Sequence, residues 1–397
     1  MASIIIVSEY VNEAQNSTGY VWSKIINHLS NENLAVKVVY VEDEAVMENS
    51  SEINFYPVNR TLINHKSILL KVWGHFKLSV KFFFKVCIVI KPGDMVFTGT
   101  NPSMFLLFVP FLKYFFKFKW FLLVHDVYPN NLIPAGLINS RFSLRYKILD
   151  YVFCYVYKRA DVLIAIGRDM SEVLESKVGS SKNIIFVPNS VDASEIFPVN
   201  ASDFLEKRGI KLDSESVVFQ FFGNLGRVQG VENVLQALKL TTDKNLVFIF
   251  FGRGVYLEHI KNFIETNHKL RVYYGGDVLP QDKNECLSSC DVALVTLESN
   301  MYGLGVPSKS YFNMAADKPI LAVMAYQSEI ARVINDDGIG WHCLPNKPTE
   351  LASIMDSITS NRTYKQMPSS RSLLIDKYSL EISLIKITQK IKSELSI

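Results

Sequence analysis

The chain has 397 residues, 48% of them hydrophobic and 20% charged, with a net charge of only +3. That composition excludes a disordered or collagen-like chain, and the near-balanced charge implies no global attraction to nucleic acid. The length suits two ordinary domains, each able to bury its own core.

The first half alternates strands and helices. Ser3 to Ser8 reads as a buried strand, and a helix starts near Tyr20 with Val21, Ile25, Ile26 and Leu29 on one face. Val36–Val41 and Ile53–Val58 are further strands. A basic, aromatic helix runs from Ile68 to Ile90, and Met95–Thr98, Trp120–His125, Val162–Ile166 and Ile184–Val187 complete the sheet. Strands alternating with helices predict a parallel, doubly wound domain. A polar linker from the Pro188-Asn-Ser-Val-Asp192 stretch to about Ser214 separates it from a second unit of the same kind. No signal peptide is read in MASIIIVSEY. Met104 to Phe116 is broken by Pro110 and Lys113, so no stretch spans a membrane. The five cysteines are scattered and odd in number, which fits a reducing compartment. No zinc-ligand pairing appears among them, and no metal is expected.

The second unit opens with VVFQFFGNLGRVQG, Val217 to Gly230. A buried strand ends at Gly223, and after Gly230 a helical pattern starts with Val231, Val234, Leu235 and Leu238. A strand, a glycine-rich turn and a helix start favour an anion, phosphate above all, and Arg227 adds a cation. The glycine spacing is neither the dinucleotide nor the P-loop pattern, which argues against an oxidoreductase or a kinase. Strand runs follow at Leu246–Phe251, ending in Gly252-Arg253-Gly254, at Val272–Gly276, and at Asp291–Thr296. Then come the loop Tyr302-Gly-Leu-Gly-Val-Pro-Ser-Lys309, a helix at Tyr311–Ala316 and a strand at Ile320–Met324.

In this order GNLGRVQG, FFGRG, YYGGDV, CDVALVTL and GVPSKSYFNMAADKPILAV resemble the donor half of retaining glycosyltransferases of family 4, in the branch that builds bacterial surface polysaccharides. The resemblance implies the GT-B fold: two Rossmann-like domains, 1–192 for the acceptor and 193–378 for a nucleotide-sugar, facing across a cleft. Residues 379–397 would form a helix crossing back to the first domain. It implies His125 beside the reacting sugar, with Asp126 orienting it or a substrate hydroxyl. Gly223, Asn224, Arg227, Gln229, Ser308 and Lys309 would hold the donor phosphates, Arg227 and Lys309 being the cations. Gly19, Arg253, Asp277, Val278, Glu298, Gly305, Val306 and Phe312 would line the nucleotide and sugar. Many relatives carry two glutamates eight residues apart; here Leu304 and Phe312 occupy those places. Where many relatives have Gly-Gly in the first loop, this chain has only Gly19. Bland alternatives stand beside these: a strand cap for His125–Asp126, a solvated loop charge for Arg227, and an exposed acid for Glu298.

From Arg60 to Lys119 ten basic side chains face one acid, Asp94. Lys77, Lys81 and Lys85 recur at helical spacing among Leu78, Val80 and Phe82–Phe84. Such a helix suits an anionic bilayer, the alternative being an ordinary surface helix. The expectation is a cytoplasmic, membrane-peripheral enzyme. It moves a hexosyl or N-acetylhexosaminyl group from a nucleotide diphosphate donor, UDP favoured, to a lipid-linked glycan of O-antigen or capsule, without a cofactor or metal. A nucleotide-sugar epimerase or a non-catalytic nucleotide-sugar binder remains the alternative.

Overall fold

The computed structural model describes residues 2–13, 15–42, 53–61, 68–180 and 183–395; Lys66 of the basic stretch lies outside them. The first sheet holds β1 (Ile4–Ser8), β2 (Val36–Val41), β3 (Ile53–Val58), β4 (Met95–Gly99), β5 (Lys119–Val124), β6 (Val162–Ala165) and β7 (Ile184–Phe186). Their order is β3-β2-β1-β4-β5-β6-β7, all parallel. The second sheet holds β8 (Val217–Phe222), β9 (Leu246–Phe251), β10 (Val272–Gly276), β11 (Val292–Thr296), β12 (Ile320–Val323) and β13 (Gly340–Cys343). It runs β10-β9-β8-β11-β12-β13, again parallel. This is the doubly wound α/β architecture expected. The strand order reverses between β1 and β4 and between β8 and β11, so a crevice opens beyond their carboxyl ends.

The apolar runs form strands because parallel sheets are covered on both faces. Every residue of β1 and β9 is buried. β13, Gly-Trp-His-Cys, was not expected. It is an edge strand, and only its last residue is buried, so it lacks the continuous apolar run that marks the others.

Local capping shifts one helix start. The first helix runs from Ser17 to Asn31, three residues earlier than expected, because the Asn16 side chain accepts from the Gly19 N–H at 2.9 Å. A Cβ at Gly19 would stand 2.1 Å from the Asn12 carbonyl oxygen, so only glycine lets the preceding loop close on this helix.

The junction at residues 192–196 is pinned from each side, and the two units meet directly through Glu329. Tyr20 Oη accepts from the Asp192 N–H at 3.0 Å. Arg371 donates to the carbonyls of Ala193 at 2.6 Å and Ile196 at 2.8 Å. Glu329 accepts from Arg168 through its backbone N–H at 2.7 Å and its Nε at 3.0 Å. The last helix, Leu380–Leu395, lies on the first unit: Ser383 donates to the Pro188 carbonyl, and Lys392 pairs with Glu32 at 2.7 Å.

Candidate active site

A cavity of about 770 Å³ lies between the two sets of strand ends. Glu13, Asn16, Ser17 and Tyr20 form one lip, Glu195 and Ile196 the hinge end. Opposite stand Gly223, Asn224, Gln229, Val278, Ser308, Lys309 and Phe312, seven of the residues expected at the donor.

Lys309 opens the helix Lys309–Ala315, and its side chain returns over the end of β8. Its Nζ donates to Gln229 Oε1 at 2.6 Å and lies 3.7 Å from the centre of the Phe221 ring. Its Cδ is 3.9 Å from where a side chain at Gly223 would begin. Part of the stem reaches solvent, but burial of the ammonium lowers its pKa to about 7. Among the described residues this desolvated cation is met by a neutral amide and an aromatic face, which compensate it poorly. An anion in the cavity would compensate it.

The expected helix start after Gly230 is occupied differently. There the Glu298 carboxylate lies 3.6 Å from where a Gly230 side chain would begin. The Glu298 backbone N–H donates to the Val228 carbonyl at 2.9 Å, and its carboxyl is raised by burial. Glu298 is therefore not an exposed loop acid. An acid at this helix start competes with phosphate, which leaves Gly223 and Lys309 as the candidate anion position.

Other expected residues stand outside the cavity lining. Arg227 is exposed, and its guanidinium reaches toward Gly136 on the opposite lip, 3.3 Å from that residue's Cβ position. Arg253, with 81% of its side chain exposed, pairs with Asp277 instead of reaching inward. Gly19 is buried beneath the Asn12 carbonyl. Gly305 faces the His125 carbonyl oxygen, 3.6 Å from its Cβ position, and the Val306 carbonyl accepts from Asn189 at 3.4 Å. That glycine-rich loop is part of the seam between the units. At Gly303, with φ +66°, a Cβ would meet the Asp169 carbonyl oxygen at 2.8 Å.

His125 and Asp126 follow β5, beside that seam. The Val127 N–H donates to the Leu304 carbonyl at 3.3 Å. His125 Nε2 is buried without a hydrogen-bond partner, and burial lowers the imidazole pKa to about 4. Asp126 accepts from Asn131 Nδ2 at 2.6 Å, and burial raises its pKa to about 6 despite that bond. The acid is thus engaged by an asparagine rather than orienting the imidazole. A neutral ring with an unfilled buried nitrogen is suited to a hydrogen bond with a ligand.

Three lining residues had no sequence signal. Tyr20 donates to Glu195 at 3.1 Å, Glu195 pairs with Lys24, and Lys283 sits over the Phe312 ring. Among the described residues, no group of three or more His, Cys, Asp or Glu side chains is placed to hold a metal ion.

On the outer face of the first unit, the helix Ile68–Val89 divides its phenylalanines. Phe82 is fully buried, Phe83 half-buried and Phe84 59% exposed, so the Phe run is part core and part surface. Lys77 stands over the Trp73 ring, Lys81 donates to the Asn59 carbonyl, and Lys85 is half-buried. Ile88, Phe111, Tyr114, Phe115, Ile148 and Tyr151 are exposed on this helix and on Val109–Phe116 and Leu144–Arg159. No helix among the described residues is long and apolar enough to cross a membrane.

Two Rossmann-like units meeting at a cleft define the GT-B class. The solved structure of Anabaena HepE in complex with UDP superposes with a TM-score of 0.72 at 14% identity, over 99% of this chain and 100% of that one. Residues 203–372 match the family of glycosyl transferases group 1. The probable glycosyltransferase WbjE of Pseudomonas aeruginosa is 40% identical over all of this chain and 99% of its own. The putative colanic acid biosynthesis glycosyl transferase WcaI of Escherichia coli K12 is 30% identical over 24% of this chain and 23% of its own. The chain belongs to the glycosyltransferase group 1 family.

Proposed function

We propose that the protein is a retaining transferase of family 4. It passes a hexosyl or N-acetylhexosaminyl group from a UDP-sugar to a hydroxyl of a lipid-linked glycan in bacterial O-antigen or capsule synthesis. The observation that carries this reading is Lys309, an ammonium desolvated at the strand ends of a cleft and held by Gln229 over Phe221. Loss of a sugar from a nucleotide diphosphate develops charge on the leaving diphosphate, and a preorganised cation in a dry site stabilises it. Ser308 and Lys309 add backbone N–H groups at a helix start, and Gly223 leaves room for phosphate beside them. Arg227 stands at the rim, where it meets the donor's outer face.

His125, neutral at physiological pH, offers its unfilled nitrogen to the donor sugar. Asp126 and the loop from Asn12 lie toward the acceptor. The lysine takes the charge that a metal would otherwise carry, so no metal is required. UDP is favoured because HepE is solved with UDP, and polysaccharide synthesis because WcaI is named for colanic acid. The basic, aromatic outer face supports a peripheral position on the anionic inner face of the plasma membrane.

The test is a thermal-shift panel of UDP-, GDP-, ADP- and dTDP-sugars, followed by product analysis with the best donor. Ligand that binds the native state raises apparent stability. A UDP-sugar shift and an α-linked product from an α-linked donor are expected. No shift with any nucleotide-sugar, or an inverted product, would remove the reading.

A further inference from the structure

The cavity contains a second cation at its hinge end. Lys283 Nζ lies 3.4 Å from the centre of the Phe312 ring, and both residues line the cavity. Phe312 packs in turn against Tyr20 of the opposite lip, with ring centres 6.1 Å apart. The ring covers one side of the ammonium. No hydrogen bond joins its three donors to another described residue. Glu195, the acid whose charge acts on it, is already engaged by Tyr20 and Lys24. An ammonium held on an aromatic face with free donors is a preorganised site for lone-pair oxygens.

Its neighbours differ from those of Lys309. Lys309, Gln229 and Gly223 gather at the end of β8, whereas Lys283 stands among Phe312, Leu279 and Pro280 beside the hinge. His125 lies at the seam beside Gly305. A ligand whose diphosphate meets Lys309 and whose sugar extends toward His125 leaves its nucleoside for the hinge end. Val278 and Leu279 supply apolar surface there for a base.

Resting on the nucleotide-sugar reading, we infer that Lys283, seated on Phe312, recognises the donor's nucleoside by donating to its oxygens, while the diphosphate is held at Lys309. Burial lowers the Lys283 pKa to about 8, with Glu195 opposing the shift, so the group is mostly charged at neutral pH.

The test measures Kd by calorimetry at pH 7.5 for UDP, 2′-deoxy-UDP, 3′-deoxy-UDP and inorganic pyrophosphate. The proteins are wild type, Lys283→Met, Lys283→Gln and Lys283→Arg, each checked for unchanged unfolding. A hydrogen bond from a charged donor supports about tenfold or more in affinity. Met and Gln should lose that factor for UDP and keep wild-type affinity for pyrophosphate, with Arg recovering part of the loss. A deoxy penalty present in wild type and absent in Lys283→Met assigns the contact to the ribose. An equal deoxy penalty in both, with the UDP loss intact, assigns it to the base. Unchanged UDP affinity in Met and Gln, or equal losses for UDP and pyrophosphate, would overturn the inference. Failure of wild type to bind UDP, GDP, ADP or dTDP would instead bring down the nucleotide-sugar reading on which it rests.

Discussion

The Lys309 ammonium donates to the Gln229 side-chain oxygen at 2.6 Å, so a neutral amide rather than a carboxylate receives this desolvated cation. On the proposed function, the pair is a site prepared for the donor's diphosphate. A carboxylate partner would neutralise the lysine in the resting protein and compete with a diphosphate. An amide orients it and leaves the charge available.

This arrangement sets a pH dependence. With a pKa of about 7, Lys309 progressively loses its proton above neutrality, and a bound diphosphate must restore it. In Lys283→Met, which removes the other cavity lysine titrating in this range, UDP affinity measured from pH 7.5 to 9.5, where the diphosphate is fully ionised, should fall by up to about tenfold per unit, with proton uptake on binding. Calorimetry in buffers of different ionisation enthalpy measures that uptake. Flat affinity with no proton uptake would show that the lysine is not the phosphate partner.

His125 and Asp126 make opposing contributions to stability in acid. The folded imidazole has a pKa of about 4, below its ordinary value, so its contribution is present above pH 6.5 and lost as pH falls toward 4. The folded Asp126 carboxyl, at about 6, contributes below its ordinary 3.8 and loses that contribution as pH rises through 6. Asp126→Asn should therefore steepen the loss of stability between pH 6.5 and 4, measured by denaturant unfolding. His125→Ala should flatten it while lowering turnover far more than nucleotide affinity. Equal losses of stability and activity in His125→Ala would leave it a strand cap.

Arg227 offers a graded comparison. It is exposed at the rim and stands outside the cavity lining. Exposed charge interactions are screened, and Arg227→Ala should weaken UDP binding by about tenfold or less. Lys309→Ala should cost on the order of 10²-fold or more. Arg227→Ala losses as large as those of Lys309→Ala would place the guanidinium on the phosphates.

The fold was legible because central parallel strands such as Val217–Phe222 and Leu246–Phe251 are continuous apolar runs ended by glycine. The edge strand Gly340–Cys343 was not, since half-exposed positions need no apolar side chain. In the site, Gly223 and Lys309 were readable as residue types at strand and helix ends. The pairing of Arg253 with Asp277, the seating of Lys283 on Phe312 and the swing of Glu298 to Gly230 depend on packing between distant segments. No local spacing records them. The Phe82–Phe84 run showed the same limit: composition suggested one apolar face, and the helix turned its members to different sides.

The outer face predicts lipid dependence. Changing Lys77, Lys81 and Lys85 together to Glu should abolish co-flotation with anionic vesicles and leave UDP affinity unchanged. Wild-type binding should weaken at high salt, because surface charges are screened over about 10 Å at 0.1 M. Transfer to a short water-soluble acceptor should survive, and transfer to the lipid-linked one should fall. Equal flotation of wild type and triple variant would mean the charges are simply solvated.

The most direct measurement pairs stability with affinity in Lys309→Met at pH 7. A buried cation retained for an absent ligand destabilises the empty protein, and an apolar replacement of similar length removes that cost. The account predicts an unfolding temperature equal to or above that of wild type, with UDP affinity reduced about 10²-fold or more. A variant that unfolds earlier yet binds UDP as tightly as wild type would contradict it.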